Sequence, residues 1–248
     1  MNALPRLARH RPAGGGPFLL VTGCPRSGTK YVSHILRALD RDVPHERMGR
    51  DGIATWCMAV EAEVVPWGPP RLPGESYEVT LHQVRNPRLA IPSMTTLRYE
   101  SWRFVSAHVI LDHDAPPLMR AAQMWYHWNL QVAKLANWRY RLEELPGVLG
   151  TFCEWTRTVH DPRVLDEVGT NVNTRAYSRA GMWLARACER AGRLPPRFLR
   201  ERFVDRSRYE QSEPFSWSRL RAMDARVCNE VIDLAQAFGY THDDLFHS

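Results

Sequence analysis

Lysine is almost missing from this chain. Of its 33 basic residues only Lys30 and Lys134 are lysines, and the other 31 are arginines. Cysteine is sparse: Cys24, Cys57, Cys153, Cys188 and Cys228 make an odd number, with no Cys-x-x-Cys pair among them. That pattern excludes a disulfide scaffold or a zinc ribbon, makes structural thiols the default, and fits a reducing, cytoplasmic setting. No run of about 18 apolar residues occurs, so no membrane span is expected. Residues 1–16 are basic but lack a continuous apolar stretch, which excludes a secretory signal and reads as a flexible tail. Beyond that tail there is no low-complexity segment, and no internal repeat.

What remains is an ordinary globular composition: 248 residues, 44% hydrophobic and 24% charged. Residues 17–248 read as a single domain, large enough to fold without a metal or disulfide staple. The formal charge is +6, and between Arg175 and Arg226 thirteen arginines face six carboxylates. No nucleic-acid motif accompanies that stretch, which reads as a solvated, partly salt-bridged helical surface. A small anionic ligand suits the total charge better than DNA. Nothing in the sequence sets the oligomeric state.

Hydrophobic periodicity gives the class. Phe18-Leu19-Leu20-Val21 is a short continuous apolar run, as in a buried parallel strand. Val32, Ile35, Leu36 and Leu39 then recur at i, i+3, i+4 and i+7, one face of a helix starting near Thr29. A loop is expected over residues 40–51, irregular chain over 64–74, and a second strand over 78–84, stopped by Asn86-Pro87. Residues 116–137 predict a long helix, with proline in its first turn, and 138–142 a further strand. Leu220, Met223, Val227, Val231, Leu234 and Phe238 mark one C-terminal helix, with Gly239 at its C′ position. Strands separated by helices argue an α/β fold with a central, mainly parallel sheet, whose ligands sit at the carboxyl ends of the strands.

Residues 23–30 read Gly-Cys-Pro-Arg-Ser-Gly-Thr-Lys between the first strand and the first helix. Strand, glycine-containing turn and helix make an anion cradle, because turn and helix N–H groups converge there and the helix dipole adds to the attraction. The spacing is that of a Walker A loop, but Thr29-Lys30 reverses its lysine–hydroxyl order, and a basic residue, Arg26, sits inside the turn. Lys30 at the head of a helix is unfavourable for the dipole unless an anion is bound.

Pro25-Arg26-Ser27-Gly28-Thr29 after a hydrophobic strand resembles the 5′-phosphosulfate loop of the sulfotransferases that use 3′-phosphoadenosine-5′-phosphosulfate (PAPS). Val84-Arg85-Asn86-Pro87-Arg88-Leu89-Ala90-Ile91-Pro92-Ser93 resembles that family's 3′-phosphate loop, with Arg85 and Ser93 at the family's spacing of eight. Weaker echoes are Arg139-Tyr140-Arg141-Leu142-Glu143-Glu144-Leu145, Asn173-Thr174-Arg175, and Trp217 with the C-terminal helix. The resemblance implies a three-layer, P-loop-like sulfotransferase architecture and PAPS as co-substrate, with adenosine 3′,5′-bisphosphate as product and no metal. It implies that Ser27, Gly28 and Thr29 hold the 5′-phosphosulfate and that Arg26 neutralises the leaving phosphate. Tyr31 would stack on adenine, and Arg85 and Ser93 would bind the 3′-phosphate. Lys30 replaces a residue that usually bears a hydroxyl and would add a phosphate contact; Pro92 interrupts the family's usual run before Ser93.

Sulfuryl transfer also needs a base for the acceptor. A Glu in the segment corresponding to Pro44-His45-Glu46-Arg47 serves in bacterial and carbohydrate-directed members, so Glu46 is the candidate, with His45 second. This is no zinc motif, since Gly49 stands where His-Glu-x-x-His needs its second histidine. The expected acceptor is a hydroxyl on a carbohydrate or other small molecule. Trp56, Trp102, Trp125, Trp128 and Trp138 could face a sugar or aryl acceptor, but the i, i+3 spacing of Trp125 and Trp128 favours packing. Two alternatives remain open. One is a nucleotide kinase, for which Val109-Ile110-Leu111-Asp112 would be a Walker B strand. The other is a non-catalytic adenosine-bisphosphate-binding protein.

Overall fold

Four parallel strands form one sheet in the order β2-β1-β3-β4. They are β1 (Leu19–Thr22), β2 (Gly52–Ala54), β3 (Val79–Val84) and β4 (Trp138–Arg141). The computed structural model describes residues 19–60, 77–97, 99–169 and 214–247. The expected tail, the irregular 64–74 stretch, the Asn173-Thr174-Arg175 echo and most of the arginine-rich segment lie outside them.

The helices between and after the strands make this an α/β fold. They are α1 (Thr29–Ala38), α2 (Pro87–Met94), α3 (Tyr99–Ser106), α4 (Pro117–Leu135), α5 (Leu145–Thr156) and α6 (Arg163–Val168). After the second undescribed stretch come α7 (Trp217–Met223), α8 (Ala225–Ala237) and α9 (His242–Phe246). Among the described residues no helix is long and apolar enough to cross a membrane. Cys24, Cys57, Cys153 and Cys228 are buried and form no disulfide among the described residues.

The described residues gather into two compact units. The first holds residues 19–24, 28–60, 77–84 and 129–168, and so the whole sheet. The two-residue period of its strands sends Leu19, Val21, Val79 and Leu81 into one apolar cluster. The helix period of α1 brings Val32, Ile35 and Leu36 to the same cluster, and α5 adds Leu149 and Phe152. Each such fully buried side chain stabilises the fold by about 1.5–3 kcal/mol. Alternation turns Thr22, Thr80 and His82 to the opposite face of the sheet.

The second unit holds residues 25–27, 85–97, 99–128, 169 and 214–247. Trp125 and Trp128 are fully buried in it, as their helical spacing predicts. The Trp125 ring lies 6.2 Å from Phe238, and Trp128 lies 6.0 Å from Phe104.

Four elements depart from the sequence expectation. β2, just past the expected 40–51 loop, has no counterpart in the sequence expectation: it has only three residues and opens on Gly52, where a Cβ would collide with the Leu19 carbonyl. Asn86-Pro87 ends a strand but also starts α2, with Pro87 in the first turn and Asn86 Oδ1 accepting from Arg88 N–H at 2.9 Å. The single C-terminal helix is two. Asp224 has extended dihedrals and accepts from Arg226 and Val227 N–H, which caps α8 and breaks the periodic run. Gly239, at φ 93°, does take the C′ position. Residues 109–112 form no strand but connect α3 to α4, with Ile110 83% exposed.

Candidate functional site

Beyond β1 the chain turns through Pro25 and Arg26 and enters α1 at Thr29. Gly28 is the N-cap, at φ 95°, and its carbonyl accepts the first helical bond, from Val32 N–H at 3.2 Å. A side chain here would strain the left-handed backbone, and its Cβ would lie 2.6 Å from Leu142 Cδ2 and 3.1 Å from Gln83 Nε2. Gln83, fully buried, is oriented by Tyr140, whose hydroxyl donates to Gln83 Oε1 at 2.7 Å. Burial raises the Tyr140 hydroxyl well above its ordinary pKa, so it stays a neutral donor. Gly28→Ala is therefore expected to cost about 1–2 kcal/mol of stability in denaturant titrations. An unchanged midpoint would show that the turn relaxes freely.

Arg26 also takes the left-handed region, at φ 68°, without being glycine. That conformation costs about 1–2 kcal/mol unless its surroundings hold it. Here they do. The Arg26 carbonyl accepts from Arg85 Nη1 at 3.0 Å, and Arg26 Nη2 donates to Thr96 Oγ1 at 3.2 Å. Thr96 Oγ1 in turn donates to the Ser93 carbonyl at 2.8 Å, and Trp125 Nε1 donates to the Arg85 carbonyl at 3.3 Å. The second unit thus brings together Arg26, Arg85 and the α2 end carrying Ser93. Pro92 lies inside α2 without ending it.

The remaining loop residues are placed as follows. Ser27 and Thr29 are buried, at 1% and 6% exposure, while Lys30 is half-buried. Tyr31 lies half-buried against the apolar cluster of the first unit, and that burial raises its hydroxyl pKa.

The candidate base segment is fixed to the sheet edge. Ala54 N–H donates to the Pro44 carbonyl at 3.1 Å, and Glu46 N–H donates to the Ala54 carbonyl at 3.1 Å. His45 Nδ1 donates to the same carbonyl at 3.2 Å. A neutral His45 therefore carries its lone pair on Nε2, which lies 3.7 Å from Glu46 Oε1. Glu46 has φ 56°, another left-handed position. Asp51 ties down the rest of this connection. Its Oδ2 accepts from Asp42 N–H at 2.9 Å and from Arg50 Nη2 at 2.9 Å, and Asp42 Oδ2 accepts from Arg50 N–H at 2.7 Å. Burial pushes the Asp51 carboxyl up, but the Arg50 bond, the Asp42 N–H and the charges of Arg41 and Arg50 outweigh it and hold the group below the usual carboxylate range.

His34 on α1 senses both motifs of this unit. Burial, then the charges of Arg37, Lys30 and His45, lower its pKa.

Two further features were not read from the sequence. His82 is fully buried, with Nε2 donating to Asn129 Oδ1 at 3.0 Å. Its register partner on β1 is Thr22, whose buried hydroxyl has no hydrogen-bond partner among the described residues. Among those residues His242, Asp243 and His247 form a group of possible metal ligands, with ligand atoms within 4.8 Å of one another, and all three are exposed.

No family model matches this chain, and no curated protein sequence matches it.

Proposed function

We propose that this protein transfers a sulfuryl group from 3′-phosphoadenosine-5′-phosphosulfate to an acceptor hydroxyl on a carbohydrate or other small molecule. The observation that carries the reading is the pairing of Arg85 with Arg26: the guanidinium of one anion motif rests on the main chain of the other, 3.0 Å from its carbonyl. Two arginines from motifs 59 positions apart in the chain are thereby held together. Two anion motifs joined in this way suit a ligand that carries more than one anionic group.

In this reading the N–H groups of residues 27–29 hold the 5′-phosphosulfate at the start of α1, and Arg85 with Ser93 takes the 3′-phosphate. The acceptor oxygen attacks sulfur, and the bond from sulfur to the bridging oxygen of the 5′-phosphate breaks. The electron pair of that bond leaves with adenosine 3′,5′-bisphosphate, where Arg26 stabilises the developing charge. The acceptor proton passes to the Glu46 carboxylate, with His45 Nε2 as the neighbouring alternative.

The test is turnover with sulfate-labelled donor across a panel of sugars, phenols and amines. The expected result is label on a hydroxyl-bearing acceptor together with stoichiometric adenosine 3′,5′-bisphosphate. Transfer of the γ-phosphoryl group from ATP–Mg²⁺, with none from the sulfated donor, would replace this reading by a kinase.

A further inference from the structure

The Asn86 side chain joins the C-terminal helix α9 to the turn that carries Arg85. Asn86, 6% exposed, uses both ends of its amide: Oδ1 caps α2 by accepting from Arg88 N–H at 2.9 Å, and Nδ2 donates to the Asp244 carbonyl at 2.8 Å. In the five-residue helix α9 the Asp243 carbonyl accepts from His247 N–H, and two later carbonyls take side-chain donors instead. Asn86 supplies one. Trp217 supplies the next, its Nε1 donating to the Leu245 carbonyl at 2.6 Å, and its ring lies 5.7 Å from that of Phe246. The other end of α9 is fixed by a capping box in which Asp244 Oδ2 accepts from Thr241 N–H at 2.7 Å and Thr241 Oγ1 accepts from Asp244 N–H at 3.2 Å. The backbone of Arg85 is held separately, by Trp125.

We propose that α9 is a latch that sets the position of the Arg85–Asn86 turn, so that Asn86 and Trp217 act as positioning residues for recognition of a 3′-phosphate. The inference rests on the functional reading above. Its chemistry is simple. Arg85 can favour a second phosphate only if its guanidinium is held in register, and a loose turn spends that selectivity on ordering itself. Trp217 donates to α9, not to Arg85 or Asn86, so an effect of Trp217 on phosphate selectivity has to run through the latch.

Two uncharged substitutions test this on the full chain. Asn86→Ser keeps an N-cap oxygen for α2 but loses the donor to Asp244. Trp217→Phe keeps an aromatic ring but loses the donor to Leu245. For each, calorimetry measures the affinity for adenosine 3′,5′-bisphosphate and for adenosine 5′-monophosphate, and their ratio is the readout. We expect both variants to lose selectivity for the bisphosphate by up to about tenfold, as loss of one buried hydrogen bond implies, with monophosphate affinity unchanged. Unaltered selectivity in either variant, or an equal loss for both ligands, overturns the latch. A wild-type protein with no preference for the bisphosphate overturns the functional reading beneath it instead.

Discussion

Replacing Glu46 by glutamine is expected to reduce sulfuryl transfer by about 10²–10⁴-fold while leaving adenosine 3′,5′-bisphosphate binding unchanged. Glutamine is isosteric and keeps the backbone N–H that donates to the Ala54 carbonyl, so the left-handed turn at residue 46 survives. What disappears is the carboxylate that, in the proposed reaction, accepts the acceptor's proton. The companion variant, His45→Gln, separates the two candidates. His45 is held through Nδ1, and its Nε2 lies 3.7 Å from Glu46 Oε1, so it can orient Glu46 or stand in for it. With Glu46 as base, His45→Gln has the smaller effect. Near-normal turnover of Glu46→Gln, with collapse of His45→Gln, would pass the role to the histidine.

The second large effect is on stability. Burial, reinforced by the charge of Arg139 and only partly opposed by the Asn129 hydrogen bond, lowers the His82 pKa to about 4. The folded protein therefore keeps His82 neutral where the unfolded chain, at about 6.5, takes up a proton. The stabilisation is complete above about pH 6.5 and is lost as the pH falls toward about 4. At about 1.36 kcal/mol per pH unit the loss is about 3 kcal/mol. The lowered pKa values of half-exposed His34 and His127 act in the same direction. His82→Gln keeps a donor for Asn129 without a titrating ring, so its unfolding free energy should fall markedly less between pH 7 and pH 4.5. Equal pH slopes for wild type and variant in urea titrations would show that His82 is protonated in the fold.

Part of this molecule could be read before folding. β1 announces itself by a continuous apolar run, β3 and β4 by alternation of apolar and polar residues, and α4 by its length and the proline in its first turn, signals that need no partner to be recognised. β2 does not: Gly52–Ala54 is a strand only because Leu19, Leu20 and Val21 lie in register beside it. The Asn86-Pro87 pair carries two meanings, strand end and helix start, and the sequence pattern around it points only to the first. Asp224 hid a break because periodicity ran straight through it.

The same division holds at the candidate site. Arg26, Arg85 and Ser93 are legible through the resemblance of their two segments to the sulfotransferase phosphate loops. Their supports were illegible. Arg85 on the Arg26 carbonyl, Asn86 on the Asp244 carbonyl and Trp217 on the Leu245 carbonyl all end on main-chain acceptors, and a backbone carbonyl leaves no mark in the residue code. The Gln83–Tyr140 pair under Gly28 is two side chains, but they lie 57 positions apart and meet only across the β3–β4 register.

The most direct measurement is the stabilisation of the folded protein by two nucleotides, read as the shift of its unfolding transition. Adenosine 3′,5′-bisphosphate at about 100 times its Kd should add about 2.7 kcal/mol, and ATP–Mg²⁺ at the same concentration far less. Stabilisation by ATP–Mg²⁺ and none by the bisphosphate would contradict the account.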